Sequence, residues 1–296
     1  MMKTRILSLV FIASIFSTFI SCNKDEEMDG RGKANIYLTD APIDDANIAG
    51  IIISVSSIEV NGPAGWQIIK SFDEPLSVDL LSYQNGEKLL ISEEKLAAGT
   101  YSALRLNLNI PLEGEGEPSS PTSYVLFADG TSKSLYLPND NAQEEYKIAG
   151  SFTVPMNGVT NLTLDFDVRK ALVTNSQSEA YMLKPTIRLV SAEEAGTIQG
   201  VLSESIDVHH AVVFAYPKET FSNGEIIKPK ANNLRFANAA SSTVVNDNNQ
   251  FTLAFMNKGD YDLYVVGYDE SGNFEGIIGA YYGLNVAAMS TTEIAL

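Results

Sequence analysis

The chain has 296 residues, 45% of them apolar, and contains a single cysteine. Its 37 acidic and 20 basic residues give a formal net charge of −17, so nucleic acid is not expected as a partner, because polyanions repel an acidic surface. A lone cysteine excludes an internal disulfide, and the fold must therefore be stabilised by packing.

The N-terminal segment is predicted to be a targeting signal and not part of the fold. Lys3 and Arg5 form a short positive start, and residues 6–20 are apolar or small and uncharged. About 15 residues are too few to cross a hydrocarbon core of about 30 Å, but they fit the apolar region of a secretory signal. The mature chain is therefore expected outside the cytosol.

The residue that ends this signal is Cys22, which follows the small residue Ser21. Residues 1–21 with Cys22 resemble a bacterial lipoprotein signal, although Phe19 stands where leucine is usual. The resemblance implies cleavage before Cys22 and a covalent lipid, such as palmitate, on its sulfur. Since each buried methylene contributes about 0.8 kcal/mol, several acyl chains would anchor the protein to a lipid bilayer. An ordinary secretory signal with a chance cysteine is the alternative.

Residues 22–32 are predicted to form a short acidic, disordered tether. The Lys-Asp-Glu-Glu sequence at residues 24–27 resembles the acidic sorting signal that sends lipoproteins of Bacteroidota-type bacteria to the outer face of the outer membrane. The resemblance implies a lipid-anchored, surface-exposed location at the outer membrane. A periplasm-facing location, with these charges acting only as a solvated spacer, is the alternative.

The rest of the chain predicts β-structure almost throughout. Residues 102–110 alternate, with leucines and one isoleucine on one face and mainly polar side chains on the other, and residues 162–168 do the same. Short helices are predicted only at 80–83 and 93–96. Further strands are predicted at 34–38, 51–60, 124–128, 134–137, 146–154, 182–190, 197–202, 211–216, 251–255 and 263–266.

A domain boundary is predicted at residues 192–196, after which a new set of strands begins. Short strands separated by turn signals are typical of sandwiches and barrels. We therefore predict an all-β fold class, with two β-sandwich domains in tandem at residues 33–191 and 196–296. The second, at about 100 residues, has the size of a seven-stranded sandwich.

Several motifs in the first domain carry a resemblance. They are Leu38-Thr39-Asp40-Ala41-Pro42, Ile58-Glu59-Val60 with Trp66 downstream, Gly99-Thr100-Tyr101 leading to Leu104-Arg105-Leu106, Leu164-Asp165-Phe166-Asp167, and Tyr181-Met182-Leu183-Lys184-Pro185 with Ile187-Arg188. In this order and spacing they resemble DUF4382, a family of uncharacterised bacterial lipoprotein domains. The resemblance implies a β domain of the cell envelope and no established chemistry.

The second domain carries a different pattern. It runs Gly196-x-Ile198-x-Gly200-x-Leu202, then Ala211 to Tyr216, Asn248-x-Gln250-Phe251-x-Leu253 and Gly259-x-Tyr261-x-Leu263-x-Val265. This resembles the carboxypeptidase-regulatory-like group of transthyretin-type sandwiches, related in fold to starch-binding-like domains. The resemblance implies a non-catalytic spacer or a binding module, and some relatives bind polysaccharide. Glycine would form the corner, and the tyrosine hydroxyl would tie down the loop.

Four carboxylates are candidates for a calcium site: Asp40, Asp44, Asp165 and Asp167. Calcium prefers several oxygen ligands at about 2.3–2.6 Å, but the spacing lacks the Asp-x-Asp-x-Asp-Gly pattern of a dedicated loop. Structural roles are favoured, with Asp40 capping the turn into Pro42. Asp165 and Asp167 would then form a solvated strand face or pair with nearby basic residues, which are Arg169, Lys170 and Arg188. No cofactor besides the lipid on Cys22 is expected.

The sequence offers no recognisable catalytic apparatus, and we predict that the protein is not an enzyme. His209 and His210 are the only histidines, and as neighbours on a predicted strand they point to opposite faces, which does not suit a shared metal. Residues 112–118 are glycine-rich, but their three glutamates would repel phosphate. This loop is predicted to be a flexible hairpin connection.

Aromatic side chains are the candidate glycan contacts. Trp66, Tyr281 and Tyr282, with Tyr83 as a further candidate, could stack on the apolar faces of sugar rings if they are exposed. A role as a core or edge anchor is the alternative for each. Exposed, coplanar rings on one sheet face would favour glycan binding.

Two functions remain open at this stage. The first is a non-catalytic cell-envelope lipoprotein that acts as a surface-anchored structural or interaction module, with another envelope protein as its partner. The second is a carbohydrate-binding lipoprotein that uses the C-terminal starch-binding-like sandwich, with a polysaccharide as its partner. In both, the lipid bilayer is contacted through the N-terminal lipid anchor.

Overall fold

The computed structural model describes residues 30–41, 47–114, 122–138, 145–174, 180–184, 186–202, 208–227 and 234–295. The predicted signal, Cys22 and most of the tether lie outside the described residues, as do Asp44 and residues 115–118 of the glycine-rich loop. Within the described ranges, none of the helices has the length and hydropathy needed to cross a membrane.

The first module, residues 31–191, consists of strands with one short helix, α1 (Val168–Ala171), and a 3₁₀ helix at Leu80–Ser82. Its strands are β1 (Arg31–Ala41), β2 (Ile48–Gly62), β3 (Gly65–Asp79), β4 (Leu89–Ala97), β5 (Gly99–Leu108), β6 (Tyr124–Phe127), β7 (Ser132–Tyr136), β8 (Glu145–Val154), β9 (Val159–Asp167), β10 (Leu172–Thr174), β11 (Tyr181–Leu183) and β12 (Ile187–Ser191).

Two sheets pack face to face in this module. One has the strand order β12-β9-β1-β4, and the other has the order β10-β11-β7-β6-β2-β5-β8, with β3 paired along the free side of β2. Ile36, Leu38, Leu104, Leu162 and Leu164 are fully buried between them. Burying one such side chain contributes about 1.5–3 kcal/mol, so this aliphatic core strongly stabilises the packing of the two sheets.

The second module, residues 195–295, is a smaller sandwich with a 3₁₀ helix at Asn223–Ile226. Its sheets have the strand orders β16-β13-β19 and β15-β14-β17-β18. These strands are β13 (Ala195–Val201), β14 (His210–Pro217), β15 (Ser241–Val244), β16 (Gln250–Asn257), β17 (Gly259–Tyr268), β18 (Phe274–Val286) and β19 (Thr291–Ala295).

Two hydrophobic clusters flank the larger sheet of the second module. Val213, Phe251 and Leu263 belong to the core between its two sheets. An aromatic cluster lies on the opposite face of the larger sheet, and it includes Phe214, Tyr216, Phe236, Tyr264 and Tyr268. Alternation along β14 and β17 places neighbouring residues in different clusters. The predicted fold class, all-β with tandem sandwiches, is confirmed.

The same glycine and tyrosine corner closes a strand in each module. Tyr101 donates its hydroxyl to the carbonyl of Ala97 at 2.9 Å, and Tyr261 donates to the carbonyl of Asn257 at 2.9 Å. A glycine lies two residues before each tyrosine. Gly99 has φ of +151° and Gly259 has φ of +155°. The sequence predicted this loop-tying tyrosine in the second module, and the structure shows the same device in both.

The turn before Phe251 is formed by asparagines. Asn249 adopts φ of +59°, the left-handed conformation that glycine would otherwise supply. The side-chain oxygen of Asn246 accepts hydrogen bonds from the backbone N–H groups of Asn248 and Gln250 at 3.0 and 2.9 Å. Asparagine side-chain hydrogen bonds therefore stabilise this turn, and asparagine adopts the left-handed backbone conformation more readily than most residues do.

Some local predictions were wrong. Residues 93–96, predicted as a helix, lie in β4, where Glu93 pairs with Asn35 of β1. Sheet pairing overrides the helical preference of the Glu-Glu-Lys sequence here. The predicted strand at 182–190 is divided between β11 and β12, which belong to different sheets. The sequence analysis also missed β3, which lies along β2 except at residues 72–75, where the register shifts.

Candidate functional site

Three of the predicted carboxylates lie at the ends of two adjacent strands. β1 and β9 run parallel, and their register pairs Thr39 with Asp165 and Ala41 with Asp167. Because successive strand residues alternate, Asp165 and Asp167 point to the outer face of the sheet, away from the core residues Leu164 and Phe166. The second module packs against this end of the sheet, so the carboxylates lie at the junction of the two modules.

Asp40 contacts the start of α1. Its Oδ1 accepts a hydrogen bond from the backbone N–H of Val168 at 3.2 Å, at the start of α1. The side chain therefore ties the end of β1 to the end of β9. The sequence predicted that Asp40 caps the turn into Pro42, and Pro42 lies outside the described residues.

Asp165 forms an ion pair with Arg188 on the neighbouring strand β12. The Nε and Nη2 atoms of Arg188 both donate to Oδ2 of Asp165, the first at 3.0 Å. Burial raises the pKa of the Asp165 carboxyl above its ordinary value, and the positive charge of Arg188 opposes that rise without cancelling it. This carboxylate is therefore already engaged by a cation of its own module.

Asp167 pairs with two cations on α1. Its Oδ2 lies 3.1 Å from Nη2 of Arg169 and 2.9 Å from Nζ of Lys170. Burial disfavours the charged carboxylate, but the two cations outweigh that effect and hold the pKa of Asp167 below its ordinary value. These are the ion pairs that the sequence offered as the alternative to a metal site. In the part of the chain that the structure describes, no three His, Cys, Asp or Glu side chains converge to hold a metal ion.

The side chains of the two cations of α1 also contact the second module. The guanidinium of Arg169 lies 5.1 Å from the ring centroid of Phe214, and its Nη1 approaches the carbonyl oxygen of Phe236 at 3.4 Å. Nζ of Lys170 donates to the carbonyl of Ala239 at 2.8 Å. The first module thus reaches the aromatic cluster of the second through charged side chains, which the sequence analysis missed.

A second set of contacts joins the modules through the segment before β4. Nζ of Lys88 lies 3.9 Å from the ring centroid of Tyr37 in the first module and 5.7 Å from that of Phe255 in the second. The side chains of Asn85 and Thr243 form a hydrogen bond between the modules. Burial lowers the pKa of the Lys88 ammonium. A cavity of about 20 Å³ beside these residues has room for about one water molecule.

Trp66 lies on the outer face of the sheet formed by β3, β2 and β5, and it is half-buried. The guanidinium of Arg105 stacks over its indole at 3.9 Å from the ring centroid. Arg105 pairs with Glu59 at 3.1 Å, and Glu59 also accepts a hydrogen bond from Asn107 at 2.9 Å. The indole therefore packs beside a cross-strand polar ladder of its own module.

The tyrosine candidates are separated by the geometry of β18. Tyr281 packs against the core between the sheets, whereas Tyr282 lies on the other face and is 69% exposed. The ring of Tyr282 stands at 82° to that of Tyr264, with 6.2 Å between centroids. Tyr83 packs against the core of the first module. Tyr281 and Tyr282 therefore do not form one coplanar platform with Trp66, which belongs to the other module.

The two histidines are separated in the same way. His210 begins β14 and stacks on Tyr268, with 4.8 Å between ring centroids, while His209 precedes the strand.

A groove of about 600 Å³ crosses the face of the β16-β13-β19 sheet, lined by residues such as Gln199, Val201 and Glu293. It contains none of the residues that the sequence analysis proposed for binding.

Structural comparison finds similar chains only at low similarity. The Bacillus anthracis TIE protein is 10% identical with a TM-score of 0.21, and a leucine-rich repeat protein from Bacteroides thetaiotaomicron is 14% identical with a TM-score of 0.20; 90% of this chain is covered in both. The chain spans only 33% and 26% of those proteins. The minor pilin of Streptococcus agalactiae is 10% identical over 89% of this chain and 94% of the pilin, with a TM-score of 0.22. TM-scores this low support no inference about function.

Sequence comparison gives a clearer result. No curated protein matches the chain significantly. The model of the family described as "Domain of unknown function (DUF4382)" matches residues 31–185, more than half of the chain. The matched region covers β1 to β11 and includes Asp40, Asp165, Asp167 and Arg169. The protein therefore belongs to the DUF4382 family.

Proposed function

We propose that the protein is a non-catalytic lipoprotein of the outer membrane, and that its two sandwiches act as a structural or interaction module at the cell surface. The observation that supports this most is that the carboxylates at the junction form ion pairs with basic residues of the same module. Asp165 and Asp167 are engaged by Arg188, Arg169 and Lys170. Acidic groups that could have served catalysis or metal binding are instead used to hold strands and modules together.

The anchor in this proposal is Cys22, with the lipid on its sulfur. The first described strand begins at Arg31, so residues 22–30 would connect the lipid to the sandwich. The second module then lies at the far end of the chain from the membrane. The resemblance of this module to carboxypeptidase-regulatory-like domains supports a spacer or contact role.

The anchor and the location are tested in the native host. The full-length chain and its Cys22→Ser variant are compared by membrane fractionation, and intact cells are treated with protease. We expect the wild type in membranes and accessible to protease, and the variant released from membranes. A variant with alanines at residues 24–27 keeps Cys22 and tests the sorting signal, because its exposure to protease is compared with that of the wild type. Tight membrane association of Cys22→Ser would contradict the lipid anchor, and protection of the wild type from protease would contradict surface exposure.

Polysaccharide binding by the second module is the second candidate, favoured by the exposure of Tyr282 beside Tyr264. An exposed ring can stack on the apolar face of a sugar, and Tyr282 is supported edge-on by the buried Tyr264, which itself stacks on Phe221 with 3.9 Å between centroids. The mature chain is applied to a glycan array together with Tyr282→Ala. Binding that Tyr282→Ala abolishes would support this candidate, and the absence of binding to any polysaccharide would eliminate it.

A further inference from the structure

The short helix α1 carries two cations whose charged ends lie against the other module. Arg169 and Lys170 are adjacent, and their side chains reach the carbonyl oxygens of Phe236 and Ala239. The Arg169 side chain is only 1% exposed. Its guanidinium lies against the Phe214 ring and the Phe236 carbonyl, which both belong to the second module, so docking of the modules contributes to this burial.

The receiving segment is a strained turn. Phe236 adopts φ of +53°, a conformation that is rare and unfavourable for a bulky residue. Its ring stacks on Phe214 with 4.3 Å between centroids, and the N–H of Ala239 donates back to the Phe236 carbonyl at 3.2 Å. The turn thereby presents the carbonyls of Phe236 and Ala239 to α1. Such strain persists only where surrounding contacts impose it, and the cations of α1 are among those contacts.

The two cations are compensated partly by their own module and partly by the other. Burying a guanidinium is costly unless partners compensate its charge. Within the first module, Asp167 supplies one negative charge to both cations, at 3.1 and 2.9 Å. The remaining positive charge faces carbonyl dipoles and the Phe214 ring, which attract a desolvated cation. Without the second module, Arg169 would lose the carbonyl and the ring.

The contacts at Lys88 and at Asn85–Thr243 provide a second point of attachment, away from α1 along the sequence. One point of contact permits rotation, whereas two fix an orientation. Domains within one chain otherwise tend to move relative to each other unless their interface is extensive. The junction combines a buried charged contact with this second attachment.

We propose that Arg169 and Lys170 lock the two sandwiches into one cooperative unit of fixed orientation. The lock is independent of the lipid anchor. It makes the DUF4382 module and the second module unfold together, and it holds the exposed face of β18 at a constant position relative to the first module. Arg169 and Lys170 act as positioning residues.

The test uses the mature chain, residues 22–296, with Cys22→Ser to keep it soluble. Arg169→Met with Lys170→Met removes both charges while retaining most of the side-chain volume. The matched control is Arg105→Met, because Arg105 makes an ion pair and stacks on an aromatic ring entirely within the first module. Calorimetry measures the ratio of calorimetric to van't Hoff enthalpy, and small-angle scattering measures the radius of gyration.

We expect one cooperative transition for the wild type and for Arg105→Met, with an enthalpy ratio of about 1. The double variant should show two transitions, a ratio of about 2 and a larger radius of gyration. If the double variant does not fold, Lys170→Met alone, which keeps the Asp167–Arg169 pair, should still raise the ratio above that of Arg105→Met. Two transitions in the wild type, or a single transition and an unchanged radius in the variants, would overturn the proposal.

Discussion

The hydroxyl groups of the two tyrosine corners are expected to stabilise both sandwiches. Tyr101→Phe and Tyr261→Phe each remove one hydroxyl that donates to a backbone carbonyl at 2.9 Å, and each leaves the ring in place. The net contribution of such a hydrogen bond is about 0.5–1.5 kcal/mol, and the acceptor residues Ala97 and Asn257 are exposed, so water can replace the lost donor. We therefore expect each variant to lose about 0.5–1.5 kcal/mol of unfolding free energy.

The same hydroxyls give this prediction a pH dependence of known sign. Burial raises the pKa of Tyr101 and Tyr261 above the ordinary value of about 10, and for Tyr261 the charge of Arg188 partly opposes the rise. Above that ordinary value the unfolded chain loses these protons first. The stabilisation is therefore complete below about pH 10 and is lost as pH rises through the raised pKa. Both phenylalanine variants should lose less stability than the wild type over this alkaline range.

The assay is urea unfolding of the mature chain at neutral pH and above pH 10. Tyr282→Phe is the matched control, because its hydroxyl lies on a side chain that is 69% exposed. A surface substitution of this kind changes the unfolding free energy by no more than about 0.5 kcal/mol. If Tyr101→Phe and Tyr261→Phe stay within that limit at neutral pH, the corners do not stabilise the sandwiches and the reasoning is wrong.

Two further predictions concern the second module and the junction. In Gly200→Ala the new Cβ would lie 2.5 Å from Cε1 of Phe251, so we expect a loss of about 1–3 kcal/mol in urea unfolding, and an unchanged midpoint would contradict the packing. Burial opposes ionisation of Asp167, but Arg169 and Lys170 outweigh it and lower its pKa. Its stabilisation is thus complete above the ordinary value of about 3.9 and lost as pH falls through the lowered pKa. Thermal scans from pH 5 downward should show a smaller acid loss for Asp167→Asn, and equal losses would refute this.

The strands that the sequence predicted best are those with one buried and one polar face. β5 and β9 alternate cleanly, because each is paired on both sides and covers the core with one face. β3 escaped prediction because it is an edge strand whose register with β2 shifts at residues 72–75. β18 escaped it for a related reason, since several register shifts with β17 and its glycines break the period of two.

The candidate site was predictable only within the first module. The alternation of Asp165 and Asp167 placed both on one face, and the nearby basic residues suggested their ion pairs. The contact of Arg169 with Phe236 was not predictable, because the partners are 67 positions apart and belong to different sandwiches. No local pattern records a partner of that kind, and the strained φ of Phe236 has no signature in the sequence.

We propose that a lipid on the sulfur of Cys22 holds a non-catalytic pair of sandwiches at the membrane. Mass spectrometry of the N-terminal peptide, taken from the native protein in host membranes, detects that lipid. We predict a mature chain that begins at Cys22 and carries covalently bound acyl chains. A peptide that contains an unmodified Cys22, or a mature chain that begins at another residue, would contradict it.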